Sequence, residues 1–298
     1  MKVLVLGASG MLGSAFVKSS SIKNDINYYF SVRSKKKQRY LIKEYNLHEK
    51  KVLILDIIDK NLDKKLLFIK KKNFDFVINC IGIIKPHIDE SNSASIKNAI
   101  FINSMFPHLL NFHFNNIKIL QIATDCVYSG KKGFYSEESF HDAEDVYGKS
   151  KSLGEVVDKN FFNIRCSIIG EEINSRLSLI EWFKSQKYKT NINGFNNHLW
   201  NGLTTNAFCK LIESIILNKI NIPNRFHLLP SDYLSKYELL SILKQKYSRQ
   251  DLKLKKINHK ESIDRTLSTN NKKIVDKIWK KSFFNKKLKI QEMIDVSL

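Results

Sequence analysis

With 298 residues, 43% of them hydrophobic, the chain can bury a large core, and no run of about eighteen uninterrupted apolar residues marks a membrane span. The formal charge of +21 is almost all lysine, spread over helix-like stretches such as 63–72 and from Lys272 onward, and no nucleic-acid-reading motif accompanies it; a specific nucleic-acid partner is therefore not expected, and compositional drift toward lysine on solvated faces takes the larger share, with attraction of anionic nucleotide ligands as the functional alternative. Cys80, Cys126, Cys166 and Cys209 form neither C-x-x-C pairs nor a cluster with histidine, which argues against a disulfide scaffold and a structural zinc.

The first apolar run turns at Gly7 and reads as a buried strand rather than a secretory leader, so the expectation is a cytoplasmic protein with reduced thiols and no metal. Further apolar runs at 26–32, 51–55, 74–80, 117–123 and 161–168 read as buried parallel strands. Helix-length segments separate them, at 11–20, 35–45, 61–72, 93–114 and 146–158, with Pro107 expected to kink the fourth. This alternation is an α/β pattern: a Rossmann-like, doubly wound parallel sheet over residues 1–170. After Gly170 the regularity fades into a helix at 177–186, a polar aromatic loop at 193–202, a helix at 204–217, a strand at 225–229 and a helix at 235–247. Residues 171–298 are expected to form a smaller substrate-binding domain, with the segment near 195–220 returning onto the first.

Three motifs carry chemistry. Gly7-Ala8-Ser9-Gly10-Met11-Leu12-Gly13 follows a strand and opens a helix, where glycines let backbone approach a pyrophosphate and the helix N-terminus stabilises its charge; alone, the loop is equally a tight turn. Thr124-Asp125-Cys126-Val127-Tyr128-Ser129-Gly130 ends the fifth apolar run. Tyr147 and Lys151 stand four apart, on one helical face, where an ammonium lowers a phenol's pKa. In a lysine-rich chain that spacing alone is weak, and a solvated helix face is its ordinary meaning.

Together with Leu55-Asp56-Ile57-Ile58-Asp59, Val77-Ile78-Asn79-Cys80-Ile81-Gly82 and Ile164-Arg165-Cys166-Ser167-Ile168-Ile169-Gly170, these motifs resemble the extended short-chain dehydrogenase/reductase family. Within it, the chain is most similar to nucleotide-sugar reductases related to dTDP-4-dehydrorhamnose reductase, closely over the first 170 residues and more loosely beyond. The resemblance implies roles at matching positions. Gly7, Ser9, Gly10, Met11, Leu12 and Gly13 would hold the cofactor's pyrophosphate, Asp56 and Ile57 its adenine, and Asn79, Cys80, Ile81, Gly82 and Asn103 would line its path. Lys151 would bind the nicotinamide ribose and acidify Tyr147, which protonates a carbonyl oxygen held by Thr124. Lys85, Asp125, Cys126, Asn197, Trp200 and Arg265 form the implied substrate set, Arg265 meeting the diphosphate although the family's usual proline near it is missing. Bland alternatives stand beside these: Thr124 as a turn hydroxyl, Asp56 as a cap, Asn79 as a strand-end amide. His87 and His198 are read as surface or pocket lining rather than as ligands.

Two departures from family patterns refine the expectation. Related 4,6-dehydratases carry Thr-Asp-Glu where this chain has Thr124-Asp125-Cys126, and a thiol cannot replace that carboxylate in an elimination. At the second strand's end, NAD-specific members place an acidic residue; here Arg33, with Ser34 and Lys35, favours a 2′-phosphate. The resulting expectation is a reductase of a nucleotide-linked 4-keto-deoxy-sugar in surface polysaccharide synthesis, preferring NADP(H) with NAD(H) as the second cofactor. Its partner is the nucleotide sugar, with a homodimer left open. The rivals are a 4-epimerase, a non-catalytic nucleotide-binding regulatory subunit, and an RNA-binding side role resting on charge alone.

Overall fold

In the computed structural model, which describes residues 1–21, 25–172 and 178–298, the alternation becomes strands and helices in the expected order. The strands are β1 (Lys2–Leu6), β2 (Asn27–Val32), β3 (Val52–Ile54), β4 (Phe76–Asn79), β5 (Lys118–Ile122) and β6 (Phe161–Arg165), with Arg225–His227 on the edge beyond β6. Across the seven-stranded sheet the order is Arg225–His227, β6, β5, β4, β1, β2, β3, and the registers from β3 to β6 are parallel. Val3, Leu4, Val5, Val77, Ile78 and Ile119 are all fully buried, as strands covered on both faces must be, and this explains why their sequences run apolar without alternation. The order reverses direction between β1 and β4. Such a reversal opens a crevice at the strands' C-terminal ends, where this fold class binds nucleotides.

The helices that follow these strands are α1 (Met11–Ser20), α2 (Lys35–Tyr45), α3 (Leu62–Lys70), α4 (Ser93–Ile100), α5 (Phe106–Phe114) and α6 (Val146–Leu153). The segment expected as one kinked helix over 93–114 is instead α4 and α5 joined by a π-helical turn at Phe101–Met105. Pro107 is the cause. It has no N–H to offer the carbonyl of Asn103 four residues back, and the Phe106 N–H bonds the Phe101 carbonyl instead, five residues back. Gly154 packs against the Asn103 carbonyl so closely that a Cβ there would lie 1.9 Å from its oxygen. The glycine is thus required by close approach, and the π turn and the end of α6 are fitted to one another.

Contacts divide the described chain into two compact units, both discontinuous in sequence. One holds Met1–Ala123, Glu144–Ile164 and Ile222–Phe226; the other holds Thr124–Ala143, Arg165–Asn221 and His227–Leu298. In the second unit, the helix expected at 177–186 is Leu179–Lys184, and its anticipated first residue, Leu177, lies outside the described residues.

The stretch 193–202, expected as a loop, is largely strand. Asn191–Phe195 pairs in parallel with Lys253–Ile257, and His198–Trp200 lies between Leu234–Ser235 and Ile263–Asp264. Burial alternates along Asn191–Phe195, with Ile192 and Gly194 inward, but the outward asparagines hide the period. The lysine-rich end likewise forms helices, Lys272–Lys281 and Ile290–Ser297, which bury Val275, Ile278, Trp279, Met293 and Ile294. Spacing of three and four among those apolar residues outweighs the surrounding charge.

Candidate active site

In the first unit the expected cofactor residues gather at the C-terminal ends of the strands. The β1–α1 turn carries Gly7, Ser9, Gly10, Met11, Leu12 and Gly13; the Gly10 N–H bonds the Gly7 carbonyl at 3.0 Å, and the Gly7 N–H reaches the buried Ser31 Oγ at 3.3 Å. A Cβ on Gly13 would lie 2.2 Å from the Gly7 carbonyl oxygen, so only glycine lets α1 start this close to the strand. No side chain caps the N-terminus of α1. That leaves its amides and positive dipole end for an anion, which fits a cofactor's pyrophosphate.

The end of β2 is more strongly cationic than the sequence suggested. Arg33 is exposed there, Ser34 caps α2 by accepting from the Lys37 N–H, and Lys37 extends its ammonium to within 3.3 Å of Ser9 Oγ on the glycine turn. Burial, and secondarily the Arg33 charge, hold the Lys37 pKa below its ordinary value. Two cations and a hydroxyl therefore converge beside the turn, a donor set suited to a phosphate. Lys37 was not singled out in the sequence. The available signal was Ser34, which as an N-cap places Lys37 in the first helical turn.

Asp56 and Ile57 follow β3, where Asp56 Oδ1 accepts from the Ile58 N–H at 3.3 Å and Ile57 is buried. At the end of β4, the fully buried Asn79 donates to Gln121 Oε1 at 2.8 Å and accepts from the Ile81 N–H at 3.1 Å, so its amide plane is fixed. Asn103, in the π turn, clamps the backbone of Ile83 from both sides, accepting from its N–H at 2.9 Å and donating to its carbonyl at 3.0 Å, and also donates to Ser150 Oγ.

Tyr147 and Lys151 both lie on α6, which Asp145 caps by accepting from the Gly148 N–H at 2.8 Å. Ser104 Oγ donates to the Ser150 carbonyl at 2.7 Å, tying α6 to the π turn. Lys151 is buried, and its ammonium donates to the Ile122 carbonyl at 2.6 Å, at the end of β5. A Cβ on Gly82 would stand 3.4 Å from Asn103 Oδ1 and 3.8 Å from Lys151 Nζ. Gly82, Asn103 and Lys151 thus converge on one spot beside the crevice. Cys80 is near enough to feel the Lys151 charge, yet burial pushes its thiol pKa far up and keeps it neutral. Lys85, expected near substrate, is exposed and pairs with Asp145 at 2.9 Å.

The remaining expected residues lie in the second unit. Thr124 caps a short 3-10 turn at Asp125–Val127: its hydroxyl accepts from the Cys126 N–H and donates to Asp125 Oδ1, each at 3.1 Å. Burial raises the Asp125 pKa, against the opposing charge of Arg265. Arg265 also donates from Nε to the Tyr128 carbonyl at 2.9 Å. A buried network fixes this segment, Arg165 donating to the Tyr128 hydroxyl at 2.7 Å and to the Glu137 carbonyl at 3.1 Å.

Asn197 grips the backbone of His259 by its N–H and its carbonyl, both at 2.8 Å, and Trp200 Nε1 donates to Ser167 Oγ at 2.8 Å. Those two side chains are thereby engaged in shaping the unit. Its cavity, of about 580 Å³, is lined instead by Trp182, Ile192, Asn193, Phe195, Lys236 and Leu240, among others.

Comparison with known proteins agrees with the fold. A dTDP-4-dehydrorhamnose reductase from Clostridium acetobutylicum superposes with a TM-score of 0.70 at 18% identity, over 100% of this chain and 98% of that one. One from Bacillus anthracis, in complex with NADP, gives 0.71 at 16% identity, over 99% and 98%. A UDP-glucuronic acid 4-epimerase from Bacillus cereus, in complex with NAD, gives 0.69 at 17%, over 100% and 95%. A direct search among curated proteins returns no match. At such identities the structural likeness speaks for the fold alone, but the family model described as RmlD substrate binding domain matches residues 1–296. Since that match spans both units, from the glycine turn to the last helix, the chain belongs to the RmlD substrate binding domain family, within the extended short-chain dehydrogenase/reductase superfamily.

Proposed function

We propose that the protein reduces the keto group of a nucleotide-linked 4-keto-deoxy-sugar, using NADP(H), in the synthesis of a surface polysaccharide. The observation that carries this reading is the Tyr147–Lys151 pair on α6, with the Lys151 ammonium buried and anchored at the end of β5, beside Gly82 and Asn103. NADPH, when bound, supplies the hydride. The chain's own contribution is geometry and one proton. Tyr147 gives the proton from its hydroxyl to the carbonyl oxygen, and the fixed positive charge of Lys151, one helical turn away, favours the phenolate left behind. The resemblance also assigns Thr124 a substrate contact; because its hydroxyl already donates to Asp125, that hydrogen bond has to be exchanged when substrate arrives. The uncapped start of α1 holds the pyrophosphate, and Arg33 with Lys37 holds a 2′-phosphate.

The reading places the enzyme in the cytoplasm, where NADPH and nucleotide sugars meet; no described helix is long and apolar enough to cross a membrane. A homodimer is the assembly to test by light scattering. The decisive assay offers a panel of nucleotide 4-keto-sugars and follows NADPH absorbance. Turnover of at least one is expected, and failure across the panel would remove the reductase assignment in favour of a non-catalytic nucleotide-binding role.

Dehydratase activity is expected to be absent. Related 4,6-dehydratases carry a carboxylic acid at the position after Asp125, and Cys126 stands there instead. Supplied with a nucleotide-linked hexose and NAD, the protein should form no 4-keto-6-deoxy product above background. Appearance of that product would mean that another group handles the elimination proton.

A further inference from the structure

Helix α3 carries two stripes of side chains, and the fold uses only one of them. Leu62, Leu66 and Ile69, at spacings of four and three, are buried and join Leu110 and Phe114 of α5 in the core of the first unit. On the opposite side of the helix, positions i, i+3, i+4 and i+7 hold Lys64, Leu67, Phe68 and Lys71, the last still helical in conformation at the C-cap. Leu67 is 49% exposed and Phe68 63%, so a leucine and a phenylalanine stand side by side on the solvent face between two exposed lysines.

Lysine alone would not single this face out, because solvated lysines are scattered over the whole surface. The apolar pair does. An outward position on an ordinary solvated helix holds a polar residue, whereas adjoining exposed apolar side chains rimmed by charge mark a surface that meets another. The neighbouring α5, joined to α3 by a 2.7 Å hydrogen bond between His113 Nε2 and Asp63 Oδ1, exposes a further ring at Phe112. Cations dominate around the pair: the Lys72 ammonium lies 5.1 Å from the centre of the Phe68 ring, and among the described residues no carboxylate forms an ion pair with Lys64, Lys71 or Lys72. Lys2 Nζ donates to the Lys72 carbonyl, which ties this end of α3 to the start of β1, at the edge of the sheet opposite the glycine turn.

Charge selects the occupant. A second copy docked through the same stripe would set lysine against lysine, in a chain of formal charge +21. A bilayer with anionic headgroups matches both parts of the stripe: leucine and phenylalanine enter the headgroup boundary, while the lysine stems lie along it and their ammonium groups reach the phosphates. We propose that Lys64, Leu67, Phe68 and Lys71 of α3 dock the protein on an anionic bilayer surface, without spanning it and at the far edge of the sheet from the glycine turn. This goes beyond the reductase reading and does not depend on it.

The test is sedimentation of the full-length protein with vesicles of phosphatidylcholine, alone or mixed with phosphatidylglycerol. The parent should bind the mixed vesicles, increasingly weakly as salt rises, and bind the neutral ones far less. Leu67→Ser with Phe68→Ser should weaken binding roughly tenfold or more, from the loss of two apolar side chains. Lys64→Gln with Lys71→Gln should weaken it about twentyfold, near fivefold for each lysine, and flatten the salt dependence. Lys272→Gln with Lys273→Gln removes the same charge from exposed positions in the second unit and should change binding by less than about twofold. All substituted positions are exposed, so the thermal midpoint should stay at the parent value and the losses report docking. Failure of the parent to bind the mixed vesicles, an equal loss in the Lys272 and Lys273 pair, or unaltered binding in the serine variant would overturn the proposal. Self-association of the parent that the serine substitutions abolish would overturn it in favour of a second copy, and poly(U) binding that they weaken, without vesicle binding, in favour of RNA.

Discussion

Replacing Tyr147 by Phe should reduce turnover by about 10²- to 10⁴-fold, the usual contribution of a positioned proton donor, while NADPH affinity changes little. The substitution deletes one oxygen from a half-buried side chain on α6 and leaves intact the helix cap at Asp145, the Ser104–Ser150 hydrogen bond and the Gly154 contact that set the helix in place. Lys151→Ala is expected to behave differently. Its ammonium is anchored to the Ile122 carbonyl and faces the spot shared by Gly82 and Asn103, so its loss should weaken cofactor binding and turnover together. Steady-state kinetics with a turned-over nucleotide 4-keto-sugar, and NADPH dissociation constants by fluorescence, separate the two patterns. Near-parent turnover in Tyr147→Phe would sink the proton-donor assignment.

The fold of the first unit was legible because its pattern is written in short, ordered signals. A strand buried on both faces must be apolar throughout, and a glycine turn followed by a helix has few other meanings at the end of such a strand. Helical spacing put Tyr147 and Lys151 on one face of α6, but only the neighbouring motifs set the pair apart from a solvated helix face. The break between α4 and α5 was half visible: Pro107 announced a disturbance, but whether a proline kinks a helix or shifts it to a π turn depends on what packs against the freed carbonyl, and that is Gly154, forty-seven residues past Pro107.

The second unit was less legible because its strands are short and polar. Asn191–Phe195 alternates in burial, but its outward residues are amides and one inward residue is a glycine, so the hydrophobic period is nearly silent. Its partner, Lys253–Ile257, is mostly lysine and passes for solvated background.

NADPH should be preferred over NADH by roughly ten- to a hundredfold, since charge-assisted hydrogen bonds to a 2′-phosphate contribute on the order of 1.5–3 kcal/mol. The two cations should not share this equally. Arg33 is exposed, so solvent and salt screen its charge, whereas Lys37 is partly buried against Ser9 of the glycine turn. Burial also depresses the Lys37 pKa, with the Arg33 charge acting in the same direction, and an arriving phosphate would relieve both effects by stabilising the charged ammonium. Lys37→Ala should therefore lower the NADPH:NADH ratio more than Arg33→Ala does, and the ratio for the Arg33 variant should depend less on ionic strength than that of the parent. Binding of adenosine 2′,5′-bisphosphate against adenosine 5′-monophosphate gives a readout independent of turnover. Equal affinities in the parent, or ratios unchanged in both variants, would return Arg33 and Lys37 to the lysine-rich background and reopen the case for an NAD-retaining epimerase.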